Sequence, residues 1–590
     1  MSAEKLITDH IDIWTSAVQA KSSSGRGSGK KREIYGIKKL RELILELAVR
    51  GKLVPQDPSD EPASVLLERI AAEKAQLVKD GRLKKQKPLP NVEGDEFLFE
   101  LPNGWDWTRL GNISEIAPKN PHFDDNELVS FVPMPLISTS YKGTHSFEER
   151  KWGEVKKGYT HFADGDIAIA KITPCFENSK AAVFSGLING VGTGTTELHV
   201  ARPIEGTSDP LFILLYLKSP MFLKVGETKM TGSAGQKRVP KDFFAGNPLP
   251  LPPLQEQHRI VAKVDELMAL CDQLDQQTEA SLDAHQVLVE TLLATLTNSQ
   301  DATELMANWA RISEHFDTLF TTEQSIDQLK QTILQLAVMG KLVPQDPNDE
   351  PAAKLLERIA EEKAQLVKEK KIKKQKALPP IADDEKPFEL PNGWVWARIF
   401  DASLFSEYGS SEKTVTELPD GVPVLKMGDI QAGKVILGEH QVVSAQIEDL
   451  PNLYLKFGDV LYNRTNSAEL VGKTGMFKGE DDVYTFASYL IRIRCSFNNV
   501  MPEYLSLSMN TPLFRKTQIE PHIKQQCGQA NVNGTLMKHM LVSVPPVREQ
   551  ARLMAKTKEL LSFCDQLKQR LRDSQQTQLQ LTDAIVEQAL

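Results

Sequence analysis

The sequence predicts an α+β protein: two globular α/β domains separated by long antiparallel coiled-coil helices, with an internal pseudo-twofold repeat. Three observations lead to this prediction. Helical segments recur almost unchanged about 290 residues apart, the two segments between them keep their length but differ in sequence, and heptad spacing marks two long helices. A chain of 590 residues has room for about three to five folding units.

The first repeated segment is nearly identical in its two copies. Residues 44–79 align without gaps on residues 333–368, and 30 of the 36 positions are identical. The correspondence extends to a Leu-Pro-Asn-Gly-Trp motif, which stands at 101–105 and again at 390–394. Repetition this close indicates a duplicated structural unit.

The second repeated segment begins with Pro-Pro-x-x-Glu-Gln, at 252–257 and again at 545–550. Between the repeats lie a first domain (101–251) and a second domain (390–544), which share only a framework. The framework includes Gly-Asp at 165–166 and 458–459, and Gly-Gln at 235–236 and 528–529. Drift would change helices and domains alike, so we infer one shared role for the helices and a different role for each domain.

Apolar periodicity assigns the secondary structure. The spacing of Leu40, Leu43, Ile44, Leu47 and Ala48 is that of a buried helix face. Heptad steps from 260 to 274 and from 553 to 571 predict two long helices. Alternating apolar residues, as in 489–494, predict short strands in the two domains. Serine and glycine residues between 21 and 32 indicate a flexible linker.

These features divide the chain into seven predicted segments. They are an N-terminal extension and flexible linker (1–36), a helical repeat (37–100), the first domain (101–251), a long helix (252–300), a connector with the second helical repeat (301–389), the second domain (390–544) and a C-terminal long helix (545–590).

Composition excludes several classes of protein. Hydrophobic residues make up 41% and charged residues 25% of the chain, as in ordinary globular proteins. No apolar stretch approaches the roughly 20 residues that span a bilayer, and the first residues do not form a secretory signal. Five cysteines without a Cys-x-x-Cys motif indicate a reducing compartment, so we expect a cytoplasmic protein without a membrane partner or a zinc site.

The motifs of common catalytic centres are missing. The Gly-Lys-Thr at 472–474 lacks the first glycine of a phosphate-binding loop, since position 467 is Ser467. The glycines of 190–194 lack the spacing of a dinucleotide fingerprint and indicate a turn. There is no His-Glu-x-x-His, Gly-x-Ser-x-Gly or Asn/Asp-Pro-Pro-Tyr/Phe segment. We therefore expect no catalytic residues and no metal site in this chain.

The repeated motifs, in the order Leu-Pro-Asn-Gly-Trp, Gly-Asp, Gly-Gln and Pro-Pro-x-x-Glu-Gln, occur twice around two divergent domains. In this order they closely resemble the specificity subunit of type I restriction–modification enzymes. The resemblance covers Ile37 to Leu590, and the segment 48–55 is similar to an enterobacterial subgroup.

The resemblance implies a mechanism. The two domains would be target-recognition domains, each reading one part of a split, asymmetric site in double-stranded DNA. The helices would fix the gap and dock two modification subunits and, through them, two restriction (motor–nuclease) subunits. S-adenosylmethionine, ATP and magnesium would belong to those partners, with no cofactor in this chain. The complex would methylate adenine at N6 in hemimethylated sites and restrict unmethylated DNA.

Candidate DNA contacts are forked or amide side chains on loops near the shared motifs, because arginine and lysine read guanine while asparagine and glutamine read adenine. The candidates are Lys171, Thr173, Gln236, Lys237, Arg238, Asn463, Arg464, Thr465, Asn466, Lys524, Gln529 and Asn531. The basic stretches 84–87 and 373–376 could touch phosphate, although solvated helix ends are the simpler interpretation.

The charge balance favours a partner-dependent function. The chain carries a net charge of −9, and neither domain is basic, so we expect the isolated subunit to bind DNA poorly. Two other interpretations remain open at this point. One is a self-sufficient nuclease or methyltransferase, and the other is a coiled-coil scaffold with two peptide-binding domains.

Overall fold

The computed structural model describes residues 3–20, 32–84, 88–233, 235–526 and 529–590. The chain forms two compact units: unit 1 is Met1–Ser281 with Ser574–Leu590, and unit 2 is Leu282–Asp573. Most of the predicted linker (21–31), part of the first basic stretch (85–87), Ala234 and Gly528 lie outside the described residues. The boundaries of the seven predicted segments stay a prediction.

Four helices carry the repeat. Helix A (Tyr35–Val49) and helix A′ (Glu323–Val338) are the equivalent short helices of units 1 and 2. Helix B (Leu254–Asn298) and helix B′ (Val547–Ala589) have 45 and 43 residues, which is about 65 Å each at 1.5 Å per residue. The predicted stripe on helix A is confirmed, since all five of its residues are buried.

In each unit these helices pack around one apolar core. In unit 1, Ile260, Val264 and Leu267 of helix B lie in one core with helix A and with Ile585 near the end of helix B′. In unit 2, the later part of helix B shares a core with helix A′ and with Cys564 of helix B′. The start of each long helix therefore lies in a core with the end of the other, the pairing expected of antiparallel helices. The predicted fold class is confirmed.

The remaining helices of unit 1 are short, apart from one after helix A that buries Leu66 and Ile70. They are Ala3–Asp9, Ile11–Ser16, Ala63–Lys79, Leu110–Ile113, Trp152–Val155, Pro210–Lys218, Pro220–Lys229 and Lys241–Gly246.

The first domain is built on two four-stranded sheets. One has the strand order Glu148–Lys151, Leu128–Val132, Val191–Gly194, Thr160–Ala163. The other has the order Ser114–Ile116, Leu198–Pro203, Ile167–Ala170, Ala181–Val183, with every neighbouring pair antiparallel. A separate pair, Asp106–Arg109 with Pro248–Leu251, closes the domain next to the helices.

In unit 2, the other helices again frame one mixed domain. They are Ala302–Glu314, Phe316–Leu319, Ala352–Lys368, Ile399–Ala402, Leu450–Leu453, Pro502–Met509, Pro512–Phe514 and Gly534–His539.

Among the described residues, no helix is both long enough and apolar enough to cross a lipid bilayer.

The second domain has a larger main sheet than the first. Its strand order is Phe405–Tyr408, Leu490–Arg494, Val460–Asn463, Thr474–Met476, Lys434–Val435, Ile430–Gln431. Two three-stranded sheets have the orders Val442–Ser444, Gly421–Leu425, Thr485–Phe486 and Thr465–Asn466, Gln529–Asn531, Lys524–Gln526. Val395–Arg398 pairs with Leu541–Val544, as its equivalent does in the first domain.

The Leu-Pro-Asn-Gly-Trp and Pro-Pro-x-x-Glu-Gln motifs form the joint between helices and domain. The carbonyl of Gly104 accepts a hydrogen bond from the amide of Ala63 at 2.8 Å, and the Gly393 carbonyl accepts one from Ala352 at the same distance. The side chain of Gln257 is buried between the carbonyl of Pro252 and the amide of Asp209. Their near-identity therefore has a structural reason, which is to fix each domain on its helices.

The N-terminal extension is part of the core of unit 1. Trp14 is fully buried and packs on helix A at Gly36, where an added Cβ would lie 2.3 Å from the Trp14 carbonyl oxygen. Strands Val18–Ala20 and Arg32–Ile34 pair antiparallel and lead into helix A. Nothing in the repeat pattern had indicated this role, because the extension has no close copy elsewhere in the chain.

Glu323 gives unit 2 an acid-sensitive contact. Arg572 donates to its carboxylate at 2.7 and 2.9 Å, and this hydrogen bonding lowers the pKa of Glu323 to about 2. Because the pKa is lowered, the contact stabilises the fold above the ordinary value of 4.5 and is lost as pH falls towards 2. We expect Glu323→Gln to reduce the fall in Tm between pH 5 and pH 3 by about 2 °C, since the pair is exposed. Calorimetry of both chains at several pH values checks this, and an identical pH slope would contradict it.

Candidate nucleic-acid interface

In the first domain, two of the predicted loops meet at one edge of the sheet. The strand Ile167–Ala170 ends at Lys171, whose carbonyl accepts a hydrogen bond from the amide of Val239 at 2.8 Å. The amide of Thr173 donates to the carbonyl of Lys237 at 3.0 Å. The segments 171–173 and 236–238, separate in the sequence, are therefore one surface, which we name the first reading surface.

The second domain builds the same arrangement at equivalent positions. The carbonyl of Arg464, equivalent to Lys171, accepts from the amide of Val532, equivalent to Val239, at 2.9 Å. Thr465 pairs with Asn531, which pairs in turn with Lys524. The strands Thr465–Asn466, Gln529–Asn531 and Lys524–Gln526 thus form one small sheet, and this sheet together with Arg464 is what we name the second reading surface.

The Gly-Asp motif places a buried carboxylate at the start of the strand that precedes each reading surface. Asp166 and Asp459 are each 1% exposed, and each accepts two hydrogen bonds from one arginine. Arg202 reaches Asp166 at 2.7 Å through both Nε and Nη2, and Arg494 reaches Asp459 at 2.7 and 2.6 Å. Burial raises the pKa of Asp166 despite this arginine. These charges are compensated inside the domain, so the motif is a framework element.

On the first reading surface, the side chain of Arg238 forms an ion pair with Glu197. Its Nε and Nη2 donate to the two carboxylate oxygens of Glu197 at 2.8 and 2.9 Å, and its Nη1 donates to the Gln236 carbonyl at 3.1 Å. This pairing lowers the pKa of Glu197. A paired guanidinium of this kind orients a loop, and the neighbouring Lys237 is exposed.

We expect the Glu197–Arg238 clasp to control the mobility of its loop. Arg238 exchanges backbone hydrogen bonds with Thr231 at 2.8 and 3.0 Å, so loosening the side-chain pair should expose these amides. Glu197→Gln should speed their hydrogen exchange by up to about five-fold, the range expected of an exposed pair. The charge swap Glu197→Arg with Arg238→Glu should restore protection, and Lys237→Ala should leave it unchanged. Unaltered exchange in Glu197→Gln would contradict the clasp.

On the second reading surface, the guanidinium of Arg464 is held by two contacts. Its Nε donates to the Ser488 carbonyl at 2.8 Å, and its guanidinium lies over the Tyr408 ring, 5.2 Å from the centroid. The Tyr408 hydroxyl accepts from the amide of Gly534 at 2.7 Å, which fixes the ring. Within the part of the chain that the structure describes, the terminal nitrogens of Arg464 have no hydrogen-bond partner. The side chain is therefore oriented and available.

The other predicted residues differ in position. Asn463 and Thr465 are 1% and 9% exposed, so their side chains lie beneath the second reading surface. Asn466 is half-buried and caps the amide of Ser467 at 2.8 Å, whereas Asn531 is exposed. On the first surface Gln236 and Lys237 are exposed, and Lys171 and Thr173 are half-buried. Lys524 and Gln529 are described by their backbones alone.

The chain is similar in sequence to proteins that are already known. The family model described as "Type I restriction modification DNA specificity domain" matches residues 102–284. The type I restriction enzyme EcoAI specificity subunit of Escherichia coli is 55% identical over 595 aligned positions, covering 100% of both chains. The chain belongs to the specificity subunits of type I restriction enzymes. The EcoEI specificity subunit of the same organism is 54% identical, also over the full length of both.

Two solved structures show weaker similarity to the chain. A chain from a study of complex assembly and conformational transition of the type I R-M system is 17% identical, with a TM-score of 0.48 and coverage of 83% of this chain and 98% of that one. The HsdS subunit from Thermoanaerobacter tengcongensis is 18% identical, with a TM-score of 0.42 and coverage of 84% and 98%.

Family membership decides between the interpretations left open by the sequence. A specificity subunit recognises the DNA target and is not the catalytic chain of its system, so the enzyme and peptide-scaffold interpretations are rejected. The residues that sequence reasoning missed in this subunit are Glu197, Tyr408 and Tyr489. Glu197 and Tyr489 are equivalent positions, because their carbonyls accept from the amides of Lys171 and Arg464 at 2.9 and 3.1 Å. Glu197 and Tyr489 lie 292 residues apart, one fewer than the 293 that relates Lys171 to Arg464, so the spacing of the framework motifs did not reveal this pair.

Proposed function

We propose that each domain of this specificity subunit reads one half of a split, asymmetric site in double-stranded DNA, through its reading surface. The observation that carries this is one backbone frame with different side chains. The positions of Lys171, Glu197 and Arg238 in the first domain hold Arg464, Tyr489 and Asn531 in the second. Different donors on the same frame fit different base edges in the major groove.

The long helices provide the common part of the function. The helical repeats 44–79 and 333–368 are near copies, and helices B and B′ both follow the same Pro-Pro-x-x-Glu-Gln motif, so the two units offer equivalent segments to two copies of one partner. We propose that they set the gap between the half-sites and dock two modification subunits and, through them, two restriction subunits. S-adenosylmethionine, ATP and magnesium then act in those partners, and the complex works in the cytoplasm.

The chemistry of the complex follows from this division of labour. The modification subunits methylate adenine at N6 where this chain has placed them, and the motor subunits restrict DNA whose site is unmethylated. Because neither domain is basic, the assembled complex supplies much of the phosphate contact, and the isolated chain binds DNA weakly.

Domain exchange tests the proposal. Residues 101–251 are replaced by the corresponding segment of the EcoEI specificity subunit, the complex is expressed in a host without other restriction systems, and N6-methyladenine is mapped across the genome. We expect one half of the methylated site to change while the other half and the gap stay the same. Exchange of 390–544 is the matched control and should change the opposite half. Methylation in which both halves change together would contradict independent reading.

A further inference from the structure

Helices A and A′ have nearly the same apolar seam, and so do helices B and B′. Ile44, Leu47 and Ala48 of helix A recur as Ile333, Leu336 and Ala337 of helix A′. Cys271 and Leu274 of helix B likewise recur as Cys564 and Leu567 of helix B′. These apolar contacts would fit helix A′ to helix B almost as well as to helix B′.

The charges beside this seam are reversed between the two units. Lys38 of helix A is replaced by Asp327 in helix A′, and Asp275 of helix B is replaced by Lys568 in helix B′. Glu279 of helix B is likewise replaced by an arginine in helix B′. The apolar positions of the seam are largely kept, whereas these three charged positions beside it are reversed.

In unit 1, the helices are joined by one arginine and two aspartates. The guanidinium of Arg41 on helix A donates to Asp272 at 2.8 Å and to Asp275 at 3.0 Å, both on helix B. Lys38 lies one turn before Arg41 on the same helix and adds positive charge to this side. Helix A is therefore basic where helix B is acidic.

In unit 2, the signs are the other way round. Lys568 of helix B′ pairs with Asp327 at 2.7 Å and with Glu323 at 3.3 Å, both on helix A′. Arg572, the counterpart of Glu279, binds Glu323 at 2.7 Å. Lys330 keeps the sign of its counterpart Arg41 and pairs with Asp565. Here the helix A′ side supplies the acids for a basic helix B′.

Exchanged partners would bring like charges together. Helix A′ on helix B in the same register would set Asp327 against Asp275 and Glu323 against Glu279. Helix A on helix B′ would set Lys38 against Lys568. We propose that these reversed charges are a pairing code, which directs each short helix to its own long helix and rejects the other long helix, whose apolar seam is similar.

Chain connectivity makes such a code necessary. The correct contact between Arg41 and Asp275 closes a loop of 234 residues, whereas the wrong contact between Asp327 and Asp275 would close one of 52. Loop closure becomes less probable with about the 3/2 power of length, which favours the wrong contact by about ten-fold. Helix A′ also shares the core of unit 2 with the later part of helix B, so the competing face is close along the chain.

The test uses the full chain with Lys38→Asp and Asp275→Lys, which copies the Asp327–Lys568 pair into unit 1. Arg41 then keeps Asp272 as its partner, just as Lys330 keeps Asp565, so at these positions the two units carry the same code. Each chain is refolded from urea and treated with a zero-length amine–carboxylate cross-linker, and peptides joined through Lys330 are identified by mass spectrometry. In the natural chain we expect coupling to Asp565. In the variant, coupling to Asp272 should rise at least five-fold, with Tm within about 2 °C of the natural chain.

A matched control separates recognition from stability. Adding Asp327→Lys and Lys568→Asp to the variant makes the two codes opposite again, and the natural cross-link ratio should return. If the chain with equal codes keeps the natural ratio, the charges merely stabilise each unit and the proposal is wrong. If that chain fails to fold, Asp327→Lys alone decides the matter, because a positive charge at position 327 would be drawn to Asp275, and an unchanged ratio there overturns the proposal as well.

Discussion

Arg464→Ala in the assembled complex should abolish discrimination at one half of the DNA site and preserve it at the other. The Arg464 fork is the donor that the second domain holds in place and leaves unpaired, between the Tyr408 ring and the Ser488 carbonyl. A bidentate contact to guanine contributes about 1–3 kcal/mol of discrimination. Discrimination is the methylation rate on the intact site divided by the rate on a site altered in that half. We therefore expect this ratio to fall about 10- to 100-fold in the variant.

The measurement compares methylation rates on duplexes that carry the intact site or single substitutions in either half. Lys456→Ala is the matched control, because Lys456 is an exposed cation before the start of strand Val460–Asn463, whereas Arg464 follows its end. That variant should keep the natural preference in both halves. Arg464→Ala with an unchanged preference in the second half would remove Arg464 from the recognition surface.

Local patterns determined how much of this fold could be predicted. The helices depend on spacing of three and four residues, which is visible in the sequence itself, and their cores match that spacing from Ile260 to Leu274. The reading loops were found because the framework motifs recur in both domains. Trp14 was missed because its packing on helix A has no counterpart in the repeat.

Individual contact residues were harder to predict, since their roles depend on partners far along the chain. Arg238 looks like an open donor in the sequence, but Glu197, 41 positions away, occupies its fork. Asn463 is the last residue of the strand and stands next to Arg464, yet the pleat turns its side chain into the domain, where it is buried. Residue type and loop position identify a surface, and only the folded chain separates side chains that face outward from those that support it.

Asp459→Asn should destabilise the second domain by about 3–5 kcal/mol, the cost of leaving buried positive charge without its partner. Asp459 accepts from Arg494 at 2.7 and 2.6 Å and lies 3.7 Å from Arg492. Arg492 is 2% exposed, and burial lowers its pKa, so its charge depends on nearby carboxylates. The loss should appear as faster hydrogen exchange throughout strands Val460–Asn463 and Leu490–Arg494.

Asp166→Asn is the matched change in the first domain and should cost less, about 1–3 kcal/mol. The charged partner of Asp166 is Arg202, whose side chain is 31% exposed, so water can replace part of the lost interaction. Burial already raises the pKa of Asp166, which means that its ionised form is less favoured than usual. Hydrogen exchange of both domains in each variant gives the comparison within one chain. Equal losses would show that Arg492 does not depend on Asp459, and that the two Gly-Asp motifs differ only in position.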